Sequence, residues 1–551
     1  MSGFTESRVG RRRFLGLTGA VAGAAAFGPM LTSCGDGGAQ GGGAKASGEL
    51  KLPTYRPFEG FQPDLPGAES GLEPGFLRFP ENAIASVQAA PLKNSVSALT
   101  ETFATPPPPM GSNPMWQALN AALGAELRLT IGTDPGYPEK FATLLASDSL
   151  PDLMWLPPNQ GIPNIGPMLE AKFQDLTTYL SGDAVLEYPN LAALKPASWR
   201  TAVVNGKIWG APIPSTPFGQ VMMGNPKTWA KVGGLQCETA DEFFAKCKEL
   251  SQGTNYALEP AIINMLHMFG EWFGAPTGWR VNQDRSLTHL YETDNYKAAV
   301  EYAAKLWAAK VFYPDLNLAD ATPKTVNGQI AAQVVVGPRA TADFRALDPT
   351  LFVDTLIPFG HDGKAKPIYD MGYGTVGFTP FKKTDEGRIR ELLALMNYLS
   401  APFGTKEFLQ KNFGTEGAQY KLDGQKNPVF TPAGTQQGPG LVSALQIMTA
   451  PESVIFNPAF PDDTKKIHAT EQELLKIAMR NPTAGTYSDT SSKVGPKLTA
   501  AFRDTIVDIV TGRQKIDAYD EALRRWKSGG GDKMRGEFEA VLPASVPVTG
   551  S

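Results

Sequence analysis

Groups able to do covalent chemistry are few in this chain and poorly grouped. The four histidines, His267, His289, His361 and His468, are too widely spaced for a metal-ligand pattern. No Gly-x-Ser-x-Gly nucleophile turn and no phosphate-cradling Gly-Lys-Ser/Thr loop occurs. Gly372-Tyr373-Gly374-Thr375-Val376-Gly377 fits Gly-x-Gly-x-x-Gly, but Pro380 and Phe381 follow where a helix should begin, so no dinucleotide site is assigned. Paired carboxylates such as Asp462-Asp463 are too common to indicate a glycosidase. The sequence therefore names no catalytic residue, metal or cofactor. It is rich instead in groups that bind without reacting. There are 9 Trp, 15 Tyr and 29 Phe, several beside Gly or Pro in loops. Most must form core, but loop aromatics above a scaffold are a common means of gripping the apolar faces of sugars.

The elements that would position such groups alternate. Asn113 to Leu123 reads as a helix with Trp116, Leu119 and Leu123 inward. Glu126 to Gly132 reads as a strand, Tyr137 to Ser147 as a helix, and Pro151 to Leu156 as a short buried strand. Strand, helix, strand at this spacing is an α/β unit with a largely parallel sheet. Ligands of such sheets sit beyond the carboxyl ends of strands. The loop past Leu156, Pro157-Pro158-Asn159-Gln160-Gly161, is thus a candidate ligand contact, with a plain turn as the alternative. Further on, Asn205-Gly206 predicts a tight hairpin turn, and Tyr296 to Lys310 an amphipathic helix. Gln329 to Val336 predicts a strand, and Ile389 to Leu399 carries the clearest helical stripe. A last helix, Tyr519 to Lys527, is expected to stop at Gly529-Gly530-Gly531. From Leu50 to Pro109 the chain is Pro- and Gly-rich, with one strand expected at Ser95 to Leu99.

The first 49 residues are of another kind. Arg11-Arg12-Arg13-Phe14-Leu15 precedes an uncharged run, Leu17 to Phe27, and then Leu31-Thr32-Ser33-Cys34. Basic, apolar and small in that order is an export signal. The paired arginines resemble a twin-arginine signal, and Leu-Thr-Ser-Cys resembles a bacterial lipobox, in which the Cys becomes the lipidated first residue. The run is short of the roughly 20 apolar residues of a membrane span. Residues 1–33 are thus expected as signal, with 34–49, rich in Gly, as a flexible tether to a membrane-anchored, extracytoplasmic body. That body, about 500 residues, is too large for one core. A formal charge of −4 argues against nucleic acid as a partner. Beyond Cys34 only Cys237 and Cys247 remain, able to form one disulfide or to stay free with Cys247 buried on a helix.

Several stretches in order resemble the family 1 extracellular solute-binding proteins, the lipoproteins that serve carbohydrate ABC importers. Ala146 to Leu153 resembles the family's Ala-Ser-Gly-Asp-x-Pro-Asp-Ile, and Asn205 to Pro212 its Asp-Gly-Lys-x-Tyr-Gly-x-Pro. Trp279 to Asp315, Asn412 to Tyr420 and Ile509 to Lys533 resemble further family segments. The resemblance covers roughly Trp116 to Glu539; the stretch Leu50 to Pro109 matches least. It implies an α/β, two-lobe, periplasmic-binding-protein-like fold of type II, with mixed sheets flanked by helices and a ligand cleft between the lobes. It places lobe 1 at 50–213 plus 338–399 and lobe 2 at 214–337 plus 400–545, with crossings near Ile213 to Met222 and near Val336 to Arg339. By similarity to maltose-binding proteins, Asn159 and Gln160 would hydrogen-bond sugar. Arg339 replaces the stacking aromatic of their second crossing, which fits either a ligand carboxylate or a bridge across the hinge. Tyr373, Trp155, Trp209 and Trp272 are stacking candidates, each with a core role as the alternative. The implied protein is no enzyme and needs no cofactor. It is a monomer that passes a solute, a carbohydrate, to a membrane permease. A lipid-anchored carbohydrate-active enzyme and a binder of a non-sugar solute stay open.

Overall fold

A computed structural model describes residues 50–133, 136–147, 149–157, 162–544 and 546–549. The leader, the tether, Cys34, Asn159 and Gln160 lie outside the described residues. In chain order the elements that matter here begin with β1 (Gly75–Phe76), β2 (Val96–Glu101), α1 (Pro114–Leu123), β3 (Leu127–Gly132), α2 (Tyr137–Ala146), β4 (Leu153–Met154) and α3 (Ile165–Lys172). β5 (Val203–Val204), β6 (Lys207–Ile208), β7 (Gly210–Pro214), β8 (Gln220–Gly224), α4 (Ala240–Leu250), β9 (Tyr256–Leu258), α5 (Ile262–Trp272), α6 (Asp294–Ala308) and β10 (Ile330–Val336) follow. Then come α7 (Thr341–Leu347), β11 (Asp354–Thr355), β12 (Tyr369–Met371), β13 (Thr375–Pro380), α8 (Glu386–Leu399), α9 (Lys406–Phe413) and α10 (Pro439–Gln446). β14 (Ile455–Phe456), α11 (Pro461–Leu475), β15 (Ala478–Arg480), α12 (Asp489–Val510), α13 (Ala518–Trp526) and α14 (Asp532–Val541) complete the set.

Local chemistry explains the boundaries that the sequence made legible. Asn113 caps α1 by accepting the Trp116 amide, Pro114 opens it, and Gly124, at φ 89°, ends it. Asn205 and Gly206 both take positive φ, 51° and 73°, as the tight β5–β6 turn requires. The triple glycine behaves differently from expectation. Gly530 kinks the chain at φ 150°, but a helix resumes at Asp532, because Met534 and Phe538 are buried in the same core as Trp526.

The sheets sort the chain into two halves. In one, parallel strands β3, β2 and β4 lie side by side in that order. A core of Val96, Leu119, Leu127, Leu153, Trp199, Leu392 and Met396 packs beneath them, joined by Leu441 and Leu445 of α10. In the other, the sheet order is β11-β8-β10-β9, and its core runs from Trp229 and Phe243 through Trp272 and Leu306 to Phe502 and Trp526. Tyr291 stacks on Phe502 there, centroids 3.9 Å apart and nearly coplanar at 11°.

Strand pairing and packing bear on the expected partition at two places. The chain does not cross at Val336 to Arg339. It turns back through Pro338–Ala340 and α7 so that β11 can pair antiparallel with β8, Asp354 opposite Gly224. Phe344, Leu351 and Val353 then pack on Phe218 and Val221, so 338–371 stays with the second half. Conversely α10, expected in lobe 2, buries Leu441 and Leu445 in the first core, and α9 packs on the aromatic cluster beside it. The connections between the halves are 214–220, 371–375 and 456–461. The first two run side by side, with Pro214 opposite Thr375 and Phe218 bridged to Met371.

Candidate functional site at the crossings

The structure moves most of the aromatic candidates into the core. Trp155 is 2% exposed, and its indole N–H donates to the Val376 carbonyl at 2.8 Å. Trp209, also 2% exposed, donates to the Val204 carbonyl at 2.9 Å. Trp272 stacks on Phe359 at 4.5 Å and is 1% exposed. An indole so placed has no free face for a ligand. Arg339 takes the second of its two readings. Its Nε faces Glu73 at 3.5 Å and its Nη1 donates to the Val454 carbonyl at 3.0 Å, so the guanidinium ties the end of β10 to both. Cys237 and Cys247 are free thiols. Cys247 lies on the inward face of α4, while the Cys237 thiol, in the preceding loop, faces the Leu235 carbonyl at 3.5 Å. Burial raises both thiols above their usual range, which disfavours the thiolate form.

Tyr373 alone among the described candidates presents an open ring. It lies in the 371–375 crossing between Gly372 and Gly374, and is 44% exposed. Its hydroxyl hydrogen-bonds the Asn481 side chain, just past β15, and burial nonetheless raises its pKa. Two neighbours share this combination of open surface and dense surroundings. Asp370, at the centre of β12, keeps 26% of its side-chain surface, and His267, on α5, keeps 35%. Burial pushes Asp370 up to about 7 and His267 down to about 4. Together these three side chains form a partly open wall of the fold.

The electrostatics of that wall are specific. Asp370 Oδ2 lies 3.3 Å from His267 Nε2. Near pH 7 the imidazole is neutral, so this is a polar contact and not an ion pair. Glu271 lies beneath, 2% exposed, its pKa raised well above the carboxylate range by burial, with its Oε1 accepting the Asp370 amide at 2.8 Å. Phe103 is a further open aromatic, 63% exposed, set edge-on to Trp155 at 6.2 Å. It is among the first residues past the carboxyl end of β2, and its amide donates to Ser443 Oγ at 3.0 Å. The strand-end rule that selected the loop after β4 applies equally to β2, and would have found it. His267, Asp370 and Asn481 had no such local signal; they meet only through the pairing of β12 with β15 and the packing of α5. An aromatic face beside a carboxyl, an imidazole and an amide is equipped to stack on a ring and hydrogen-bond its hydroxyls. Among the described residues no cluster of His, Cys, Asp or Glu is arranged to hold a metal ion.

Comparison with known proteins bears on the class. No family model matches the chain. Lipoprotein LipO of Bacillus subtilis (strain 168) is 22% identical over 502 residues, 84% of this chain and 96% of that protein. The polygalacturonan/rhamnogalacturonan-binding protein YtcQ of the same organism is 22% identical over 438 residues, 76% of this chain and 85% of that one. The crystal structure of the N-glycan transport solute-binding protein NgtS from Streptococcus pneumoniae superposes with a TM-score of 0.58 at 15% identity, covering 81% of this chain and 98% of that one. The fold is that of the two-domain solute-binding proteins, as the sequence led us to expect.

Proposed function

We propose that this chain is the extracytoplasmic solute-binding component of an ABC importer, and that it captures a carbohydrate and releases it unaltered to a membrane permease. The observation that carries the reading is the exposed Tyr373 ring in the crossing between two α/β halves, with Asp370, His267 and Asn481 beside it. The similarity to YtcQ and to the fold of NgtS supports an oligosaccharide or sugar derivative as solute. In this reading lobe 1 comprises about 50–214 and 375–456, and lobe 2 about 220–371 and 461–541. The solute sits between them, meeting Tyr373 and Phe103 through its ring faces. Asn159 and Gln160 would add polar contacts from lobe 1. Closure excludes water and strengthens those bonds, so the solute selects the closed form.

The test is a thermal-shift panel of neutral oligosaccharides, uronic-acid oligosaccharides and peptides. One saccharide class is expected to raise the melting temperature, since a ligand that binds only the folded state stabilises it by mass action. A shift with peptides alone would refute the carbohydrate reading. We further propose lipidation at Cys34, supported by the Leu-Thr-Ser-Cys pattern and by the similarity to a lipoprotein. Among the described residues no helix is long and apolar enough to cross a membrane. Cys34→Ala is expected to release the protein into the medium or leave it uncleaved; an acylated, anchored Cys34→Ala protein would overturn the assignment.

A further inference from the structure

The Pro- and Gly-rich N-terminal stretch had no role in the sequence reading. In the structure, 64–79 forms a narrow loop closed by paired backbone bonds between Leu65 and Gly75, at 3.0 and 2.8 Å. Asp64 braces its base by accepting the Leu77 amide at 2.8 Å. The two ends of this loop are fixed to different halves of the molecule. At the base, Phe76 and Phe79 pack on Phe403 with centroids 4.6 and 4.9 Å apart, and the Phe79 amide donates to Asn427 Oδ1 at 2.8 Å. That aromatic cluster includes Phe408 and Leu409 of α9, on the first half. At the tip, Arg480 of β15 donates to the Ser70 carbonyl at 2.9 Å, and nearer the neck His468 Nε2 of α11 meets the Pro66 carbonyl at 3.1 Å. Both belong to the second half.

Glu73 sits between base and tip and gathers side chains from distant parts of the chain. Thr216 of the first crossing donates to its Oε2 at 2.8 Å, and Ser453, approaching the third, hydrogen-bonds its Oε1. Arg339, at the end of β10, faces Oε2. The Glu73 amide donates to Glu471 Oε2 of α11 at 3.2 Å, and the two side chains hydrogen-bond each other. The site is 2% exposed at Glu73 and fully buried at Glu471. Gly71, near the tip, lies close against the second crossing, because a Cβ there would lie 3.3 Å from the Met371 methyl and 2.9 Å from Arg480 Nη2. So dense a polar knot at a pivot restricts how far the parts it joins can separate.

We propose that 64–79 is a strap across the back of the hinge, with Glu73 as its pivot clamp, and that it limits how far the two lobes open when no solute is bound. The strap acts as a fourth connection between the lobes, made by packing and hydrogen bonds. It needs no particular solute, so its test is independent of the carbohydrate reading.

The experiment is small-angle X-ray scattering of the solute-free protein and two variants, Glu73→Ala and the pair Thr216→Val with Ser453→Ala. Each is first shown to be folded by circular dichroism well below its melting temperature. Both variants are expected to have a larger radius of gyration than wild type, with Glu73→Ala the more open. If Glu73→Ala fails to fold, the hydroxyl pair decides, because it leaves the carboxyls and Arg339 in place. Folded variants whose curves superimpose on wild type would overturn the strap.

Discussion

At the scale of single residues, the buried carboxyl of Glu471 gives the sharpest expectation. Burial first, and the neighbouring Glu73 second, raise its pKa far above the usual carboxylate range. The folded chain thus holds a proton that the unfolded chain releases from about its ordinary 4.5 upward. A raised folded-state pKa means a stability contribution present in full below the unfolded value and lost as pH rises toward the folded one. Glu471→Gln imitates the protonated carboxyl and lacks that loss. Denaturant unfolding at pH 5 and pH 8 should show the variant gaining on wild type by on the order of 1–4 kcal/mol at the higher pH. An equal gap at both pH values would mean that Glu471 is already ionised when folded. Glu73 and Glu471 also show why this knot was invisible in the sequence. They are 398 positions apart, and each is an ordinary acidic residue in its own neighbourhood. Tyr373 was visible because flanking glycines leave an aromatic ring uncovered, whereas nothing beside Trp155, Trp209 or Trp272 distinguishes a covered indole from an open one.

At the scale of elements, local signals did well and pairing signals did not exist. Helix α1 could be read because its cap, its first-turn proline and its terminal glycine are all contiguous. The end of β10 could not, since Val336-Gly337-Pro338 says that a strand stops but not where the chain goes next. The answer depended on β11 finding the free edge of β8. The same reasoning reassigns Trp272 from the ligand to α5. It lies 4.8 Å from Phe243 of α4 and 4.5 Å from Phe359, fastening helices to the sheet. Trp272→Ala should therefore cost about 3–5 kcal/mol of stability, the usual range for emptying a buried aromatic site. Affinity measured well below the melting temperature should stay within about twofold, or roughly 0.4 kcal/mol. A large loss of affinity with unchanged stability would return Trp272 to the binding site.

At the scale of the whole molecule, the account is of two halves that hold a solute and do no chemistry on it. The Asp370–His267 pair offers groups suited to hydrogen bonding, and with its imidazole neutral and its carboxyl half-protonated near pH 7, the proposed affinity is expected to vary with pH in that range. Isothermal titration calorimetry with the saccharide class that shifts the melting temperature tests this most directly, because it reads binding and turnover in one trace. The account predicts a saturable 1:1 isotherm, heat that ends with each injection, and an affinity weakened at least tenfold, about 1.4 kcal/mol, in Tyr373→Ala. Heat that continues after each injection, or an isotherm that Tyr373→Ala leaves unchanged, would contradict it.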